Sequence, residues 1–208
     1  MQTIGKRALR APGRPRSEAS RKAILSAAYR MLKNQGLAAI STPALAAEAG
    51  VSTSTLYRWW PTKEAIALDA FLEVVETQLP FDPKISSPLE RIRDHIRNAA
   101  RFLVSVNGRA WIRLIMATQE NEQLRESFLK RLYLHRRQNI LLVIDEAIAA
   151  GELPFDLNGN VLLDAIYGPL YYRQFMGHEA LTEEFAGQVF DAVVAGHSAN
   201  AKQRKSSR

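Results

Sequence analysis

Residues 41–64, STPALAAEAGVSTSTLYRWWPTKE, constrain the fold more than any other stretch of this chain. Pro43 follows small hydroxyl residues, as at the start of a helix, and Gly50 suits the tight turn that ends that helix. A second short helix follows, in which Leu56 and Trp60 lie four residues apart and therefore on one face. Two short helices joined by a glycine turn predict a helix-turn-helix, the motif that places its second helix in the major groove of DNA.

The positive charge of the chain is concentrated around this motif. Residues 1–68 contain 11 Lys and Arg against three Glu, whereas residues 69–208 contain 17 against 18 Asp and Glu. Attraction to phosphate is therefore confined to the first third of the chain and to a basic tail that includes Lys202. This distribution favours a DNA-binding head followed by a body with a different task, and double-stranded DNA is the expected partner.

Composition excludes several classes of protein. The chain has 208 residues, of which 47% are hydrophobic, so a substantial core is expected. It contains no cysteine, which excludes disulfides, thiol nucleophiles and cysteine-based zinc sites. No apolar run reaches about 18 residues, and the basic N-terminus lacks the apolar segment of a secretory signal. These features together favour a cytoplasmic protein without a membrane span.

The body carries no combination of residues typical of a catalytic or metal site. Its four histidines, His95, His135, His178 and His197, lie far apart in the sequence and lack the spacing of metal ligands. The sequence contains no glycine-rich phosphate loop. We therefore expect no cofactor, no metal and no enzymatic activity. An all-α enzyme carrying a DNA-targeting module is the disfavoured alternative.

Apolar residues recur at helical spacing beyond residue 16 without strand-like alternation, so the predicted fold class is all-α. Residues 1–16 are predicted to form a disordered basic arm, and residues 199–208 a disordered basic tail. Between them we expect a three-helix DNA-binding domain at 17–64 and a helical bundle at 65–198. Helices of this second part are predicted at 62–79, 88–106, 109–118, 120–150, 158–176 and 182–197, with Gly108 and the prolines of 80–88 as breaks.

The recognition helix, which is the helix expected to enter the major groove, is predicted at residues 53–60. Arg58 could bind guanine O6 and N7 together, the commonest specific contact in that groove. Thr53 and Ser54 are suited to base edges or to a thymine methyl group. The alternative interpretation treats Arg58 and Trp59 as ordinary solvated surface.

Several motifs resemble the TetR family of bacterial one-component transcription regulators. They are RKAILSAA at 21–28, Gly36, LAAEAGVS at 45–52, TLY at 55–57 and WPTKE at 60–64. Trp60 stands where the family often has Phe, a change that keeps the packing role. The segment GPLYYR at 168–173 is similar to one branch of the family's C-terminal domains.

The resemblance implies a repressor that binds a palindromic operator as a homodimer. An N-terminal helix-turn-helix domain would contact the DNA, and a helical C-terminal domain would bind ligand and form the dimer. A small-molecule effector would release the protein from its operator. The alternative keeps the DNA-binding head but places the body under the control of a protein partner, without a small-molecule pocket.

The resemblance also assigns roles on the DNA-binding face. It implies that Thr42, Tyr57 and Lys63 contact phosphates, and helix N-termini do attract phosphate at Thr42 and Lys63. Trp59 is expected to stack on sugar or base. The GRPR sequence ending at Arg16 resembles a minor-groove hook, with a flexible basic leader as the equal alternative. The predicted DNA-binding residues are Arg14, Arg16, Thr42, Ser52, Thr53, Ser54, Thr55, Tyr57, Arg58, Trp59 and Lys63.

Helices of the body carry many aromatic and methionine residues between positions 99 and 176. Ligand sites in helical proteins form between helices and are mostly apolar. Plain core packing explains the same residues, and the pocket is implied mainly by the family resemblance. Asn107, Arg113 and Gln119 could supply polar groups, and an apolar or aromatic effector is expected. The predicted ligand-binding residues are Phe102, Trp111, Met116, Gln119, Phe128, Tyr133, Tyr167 and Tyr171.

The last two predicted helices each carry an apolar stripe at three- and four-residue spacing. Such stripes pack equally well within one subunit or across a two-fold axis between two subunits. The family resemblance implies the second arrangement, in which four helices form the interface of a homodimer. The predicted dimer-interface residues are Tyr172, Phe175, Phe185, Val189 and Val193.

Overall fold

The computed structural model describes the backbone of residues 17–206 and the side chains of residues 17–197. All regular elements within this range are helical and none is a strand, so the predicted all-α class is confirmed. A short 3-10 turn, Leu37–Ala39, follows the first helix, and a π-helical segment, Leu129–Tyr133, joins the seventh to the eighth. The helices are α1 (Glu18–Gln35), α2 (Thr42–Ala49), α3 (Thr53–Tyr57), α4 (Lys63–Gln78), α5 (Pro88–Val104), α6 (Val106–Gln119), α7 (Glu122–Phe128), α8 (Leu134–Ala149), α9 (Gly159–Met176) and α10 (Glu183–Ser206).

The DNA-binding head consists of α1, α2 and α3, which pack together through buried apolar side chains. The side chains of Ile40, Leu45 and Leu56 are fully buried there. Ser41 and Ser52 cap α2 and α3, because each side-chain oxygen accepts a hydrogen bond from a backbone N–H three residues further on. The caps and the buried leucines together fix where both short helices begin and how they cross.

Helix α4 connects the head to the body and packs against α1. Phe71, fully buried in the middle of α4, stacks on Trp111 of α6 at 5.6 Å and lies 6.3 Å from the ring of Tyr29 in α1. Burial of one such ring contributes about 1.5–3 kcal/mol to stability. The head and the body therefore share one continuous hydrophobic core.

The body is a bundle arranged around α5, which contacts α6, α8, α9 and α10. Two ion pairs join α5 to α10, Arg93 with Asp191 at 2.7 Å and Arg101 with Glu183 at 2.6 Å. Exposed pairs of this kind contribute little to stability, because solvent screens the two charges. The buried apolar residues of α10, such as Phe190, therefore hold the helix in place, and the ion pairs fix its orientation.

The prediction that Gly108 separates two helices is wrong. Helix α6 begins at Val106, so Gly108 lies in its first turn. A Cβ at this position would lie 2.1 Å from the carbonyl oxygen of Phe102 and 2.3 Å from that of Leu103. The glycine is needed because α5 turns into α6 with no room for a side chain, and not because a helix ends there.

The helix predicted over 120–150 is present as three consecutive helical segments. Asn121 caps α7 by accepting a hydrogen bond from the backbone N–H of Leu124 at 2.9 Å. The π-helical segment then leads directly into α8, which ends at Ala149 before Gly151 turns the chain. The apolar spacing did not reveal the π segment, because its buried residue follows the preceding one at a spacing that an α-helix also shows.

Two further boundaries differ from the prediction. Helix α10 continues to Ser206, so the tail predicted to be disordered is helical from 199 to 206. This segment contains good helix formers and neither Gly nor Pro, so nothing stops the helix. The recognition helix, predicted at 53–60, ends at Tyr57, because Pro61 disfavours helical geometry in the residue before it.

Candidate DNA-binding face and ligand cavity

The turn between α2 and α3 presents the first residues of α3 to solvent. Gly50 adopts a left-handed conformation with φ +65°, and Ser52 caps α3. The Ser52 hydroxyl lies 2.8 Å from that of Ser54 and 2.9 Å from that of Thr55. Thr53 and Ser54 are exposed on the outer side of this turn. The Ser52 hydroxyl thus engages both Ser54 and Thr55, while Thr53 and Ser54 keep the outward position needed to reach a base edge.

Three of the predicted phosphate contacts come together near the start of α2. The hydroxyl groups of Thr42 and Tyr57 lie 3.2 Å apart, and the Tyr57 side chain is 55% exposed. Lys63, at the start of α4, donates a hydrogen bond from Nζ to the backbone oxygen of Ile40 at 2.7 Å. Two helix N-termini, a phenol and an ammonium group therefore border one surface, an arrangement suited to anionic oxygens.

The aromatic pair after α3 has two different roles. Trp60 is buried, and its indole Nε1 donates a hydrogen bond to the Asp69 carboxylate of α4 at 2.7 Å. Trp59 is half-buried with its ring 5.9 Å from that of Trp60, and it packs against the core of the head. Arg58 is exposed on the turn that follows α3. The predicted contacts from Arg14 and Arg16 lie outside the described residues.

A cavity of about 360 Å³ lies in the body, between α4, α5, α6, α8 and α9. Five of the eight predicted ligand-binding residues line it: Phe102, Trp111, Tyr133, Tyr167 and Tyr171. Volumes of this order are typical of small-molecule sites. The remaining lining residues, which the sequence analysis did not identify, are Val75, Leu79, Ala99, Leu103, Arg136, Arg137, Ile140, Leu163, Asp164 and Gly168.

Three predicted ligand-binding residues do not line this cavity. Met116 is 54% exposed, because the buried face of α6 carries Leu114 instead. Gln119 is exposed near the end of α6 and donates a hydrogen bond to the Thr118 hydroxyl. Phe128 is buried behind the cavity wall, with its ring 5.4 Å from that of Trp111.

The other two polar candidates join the body to the head. The Tyr29 hydroxyl of α1 donates a hydrogen bond to the side-chain oxygen of Asn107, and Arg113 donates to the backbone oxygen of Lys33 at 3.1 Å. Both contacts link α6 to α1. These residues therefore hold the two parts of the protein together and are not lining residues of the cavity.

Two neighbouring arginines of α8 contribute the positive charge of the cavity wall. Arg137 donates to the Asp164 carboxylate at 2.7 Å, to both oxygens of Asn160 at 3.0 Å and to the Tyr133 hydroxyl at 3.1 Å. Arg136 donates to the backbone oxygen of Leu79, at 3.4 and 3.5 Å. Arg137 thus forms an ion pair with a carboxylate, whereas Arg136 forms none with a described carboxylate and is attracted by Glu76 only from a longer distance.

Burial keeps the phenols of Tyr167 and Tyr171 neutral at physiological pH. Burial raises the pKa of Tyr171 to about 12, and burial also raises that of Tyr167 above its ordinary value. Trp111 Nε1 donates a hydrogen bond to the Tyr171 hydroxyl at 2.8 Å. The cavity is therefore aromatic and neutral over most of its wall, with polar groups at few positions.

The spacing of Arg136 in the sequence indicates its position in the cavity wall. Leu132, Arg136 and Ile140 are spaced four residues apart, and the two apolar residues are buried. A cation between two buried positions on one helical stripe has to point toward the interior of the bundle. Arginine within an apolar stripe is therefore a usable indicator of a polar group in an otherwise apolar wall.

The outer surface of α9 and α10 carries the predicted dimer-interface residues. Tyr172 and Phe175 are exposed, together with Met176, which is 63% exposed. Phe185, Val189 and Val193 of α10 are half-buried. An apolar surface of this kind is characteristic of contact with another protein.

Between 17 and 206 there is no helix with the length and apolar character that crossing a membrane requires. The same residues bring no three His, Asp or Glu side chains close enough to hold a metal ion.

The helix-turn-helix head and the helical body with its cavity define a class of DNA-binding regulator, and comparison with known proteins identifies the family. Residues 24–70 match the family described as bacterial regulatory proteins, tetR family. Residues 86–193 match the family described as tetracyclin repressor-like, C-terminal domain. The chain belongs to the TetR family of transcriptional regulators.

Individual relatives agree with this assignment. The chain is 38% identical over 173 residues to the uncharacterised HTH-type transcriptional regulator YdeS of Bacillus subtilis (strain 168), covering 83% of this chain and 87% of that protein. The crystal structure of the TetR family transcription regulator SCO0332 superposes with a TM-score of 0.75 at 27% identity, covering 85% of this chain and 97% of that one. The flavonoid-responsive regulator FrrA superposes with a TM-score of 0.62 at 26% identity, covering 87% and 96% respectively.

Proposed function

We propose that the protein is a repressor that binds a palindromic operator as a homodimer and leaves it when a small molecule occupies the body cavity. The observation that carries this proposal concerns α4. Val75 and Leu79, near its C-terminal end, line the cavity, while Lys63 at its N-terminal end borders the DNA-binding face. One helix therefore connects the two sites.

On DNA, the first turn of α3 would lie in the major groove. Thr53, Ser54 and Arg58 would contact base edges, and Thr42, Tyr57 and Lys63 would contact phosphates on either side. Two heads in one dimer would read half-sites about 34–36 Å apart, one turn of the duplex. The arm residues Arg14 and Arg16 would add contacts in the minor groove.

The dimer would form through α9 and α10, where the exposed side chains of Tyr172, Phe175 and Met176 offer a continuous apolar surface. Phe185, Val189 and Val193 lie on the adjoining helix. Two helices from each subunit would then form a four-helix interface. Such a dimer would fix the distance between the two heads, and this distance has to match the spacing of the two operator half-sites.

Release would proceed through contacts that join the cavity wall to the head. Arg131, in the π-helical segment, binds the Asp69 carboxylate at 3.2 Å, and Asp69 accepts the hydrogen bond from Trp60 beside the recognition helix. Tyr133, in the same π segment, lines the cavity. An effector that binds one arrangement of this segment better than another would shift the population between two head spacings.

Control by a protein partner is the alternative that the sequence left open. A closed core in the body would have favoured it, whereas a cavity of about 360 Å³ favours a small molecule. One structural relative is described as flavonoid-responsive, which is in line with an apolar or aromatic effector.

Selection of bound duplexes from a random DNA pool tests the operator part of this proposal. We expect a palindromic consensus with half-sites about one helical turn apart. Arg58→Ala should relax the preference at one position of each half-site and weaken binding by about 1–3 kcal/mol. Recovery of no consensus, with binding that disappears at moderate salt, would leave only nonspecific attraction to phosphate and would refute the operator model.

A further inference from the structure

The unbalanced guanidinium of Arg136 distinguishes this cavity from a purely apolar one. Arg136 forms no ion pair with any described carboxylate, and its two hydrogen bonds to the backbone oxygen of Leu79 are long, at 3.4 and 3.5 Å. Burial lowers its pKa, which reflects the cost of keeping the charge among apolar side chains. A cation held in this way gains strongly from an anionic partner.

The acidic groups around the cavity already have other side-chain partners. The Asp164 carboxylate binds Arg137 at 2.7 Å, and the Glu76 carboxylate lies 2.9 Å from the ring Nε2 of His135. Asp69, further along α4, binds Arg131. Glu76 attracts the Arg136 guanidinium from a longer distance, but none of these three carboxylates forms an ion pair with it.

The surroundings of Arg136 favour a ligand with one charged end and an apolar body. Phe102, Leu103, Trp111 and Ile140 line the remainder of the cavity. Burial lowers the pKa of His95, whose ring stacks on Phe81 next to Arg136, to about 3, so this histidine is neutral and adds no second positive charge. The cavity thus combines a single unbalanced cation with an aromatic and aliphatic wall.

We infer that the cavity takes an amphipathic organic acid, whose carboxylate pairs with Arg136 and whose apolar or aromatic body fills the space between α5, α6 and α9. This inference rests on the proposed effector function of the cavity. The planar guanidinium suits a carboxylate because it donates two parallel hydrogen bonds. The neutral phenol of Tyr167, which donates no hydrogen bond to another described residue, is a further donor at the same end of the cavity.

The test compares matched pairs of acid and amide, so that only the charge differs within a pair. 4-Biphenylcarboxylate is compared with 4-biphenylcarboxamide, and decanoate with decanamide, by calorimetric titration of the full-length protein at pH 7.5. A charged hydrogen bond to Arg136 should make at least one acid bind about tenfold or more tightly than its amide. Equal binding of acid and amide, or no binding of either acid, would overturn the assignment.

Variants separate the charge of Arg136 from its structural contact with Leu79. Arg136→Gln should reduce the acid preference to near unity and leave amide binding unchanged, whereas Arg136→Lys should restore most of the preference. Arg113→Gln is the matched control, because Arg113 also donates to a backbone oxygen near a helix end but lies outside the cavity. Retention of the full acid preference in Arg136→Gln would overturn the role of Arg136.

Release of the selected operator duplex is measured by fluorescence anisotropy in the same solutions. This measurement separates the inference about the ligand class from the proposed function. If an amide releases DNA as well as its acid does, effector control stands and the anionic class is wrong. If an acid binds with the expected charge preference but leaves operator affinity unchanged, the anionic class stands and release by an effector is wrong.

Discussion

The hydrogen bond from Trp60 to Asp69 predicts a measurable cost for removing that carboxylate. Asp69→Ala leaves a buried indole N–H without its acceptor and breaks the ion pair with Arg131. Loss of a hydrogen bond to a charged group costs about 1.5–3 kcal/mol. The ion pair, partly exposed on both sides, adds about 0–1 kcal/mol. We therefore expect the free energy of unfolding to fall by about 1.5–4 kcal/mol.

Urea unfolding followed by tryptophan fluorescence measures this change, at one fixed protein concentration because a dimer's stability depends on it. Asp145→Ala, in the middle of α8, is the matched control, since Asp145 is exposed. Arg131→Ala should cost less than about 1 kcal/mol, because it leaves the Trp60 hydrogen bond in place. If Asp69→Ala costs no more than Asp145→Ala, the Trp60–Asp69 contact does not hold the head on α4.

Three further outcomes follow from burial and close contact. The buried His95 stays neutral with a pKa of about 3, whereas in the unfolded chain this residue binds a proton below about pH 6.5. Stability should therefore fall as the pH is lowered from about 6.5 toward 3, and His95→Phe should reduce this dependence in urea unfolding. Gly108→Ala, with backbone oxygens at 2.1 and 2.3 Å from the new Cβ, should lower the melting temperature, whereas Gly187→Ala, with open space there, should not. Phe175→Asp should yield monomers in analytical ultracentrifugation, whereas the control Phe155→Asp should remain a dimer. If both variants remain dimers, the proposed interface on α9 is wrong.

The sequence was sufficient for the features that depend on local chemistry. Capping serines, the glycine turn and the buried Leu56 define the helix-turn-helix within 24 residues, 41–64, and all of these features are present in the structure. The predicted starts of α4 and α9 agree within one residue for the same reason. Signals that come from neighbouring residues can be read without knowing the tertiary fold.

The errors at Gly108 and in the cavity concern how the helices turn and pack against one another, which local sequence signals do not show. Gly108 was interpreted as a helix break, although its role depends on carbonyl oxygens of the preceding helix that approach it only in the folded protein. Met116 and Phe128 were chosen for their residue type, but the rotation of α6 and the position of α7 place the first outside and the second behind the wall. Residue type predicts that a cavity is aromatic, whereas helix rotation decides which aromatic residues border it.

The charged residues in the mostly apolar cavity wall were the hardest to predict. Arg136 and Arg137 are neighbours in sequence and similar in chemistry, yet one is balanced by Asp164 and the other is not. This difference depends on α9, which lies more than 20 residues further along the chain. The division of DNA-binding and ligand-binding parts at residues 64 and 65 stays a prediction.

The shared core around Phe71 has a consequence for how proteins of this kind exchange parts. Because Tyr29, Phe71 and Trp111 interlock across three helices, a hybrid protein that joins this head to a foreign body at residue 65 would lose the ring contacts that α4 makes in both directions. A graft of new DNA specificity would therefore need to carry α1 and α4 together with the facing surface of α6. A functional graft therefore has to transfer both of the surfaces that pack against each other, and not the head alone. Substitutions confined to α3 are the simpler way to change which operator the protein binds.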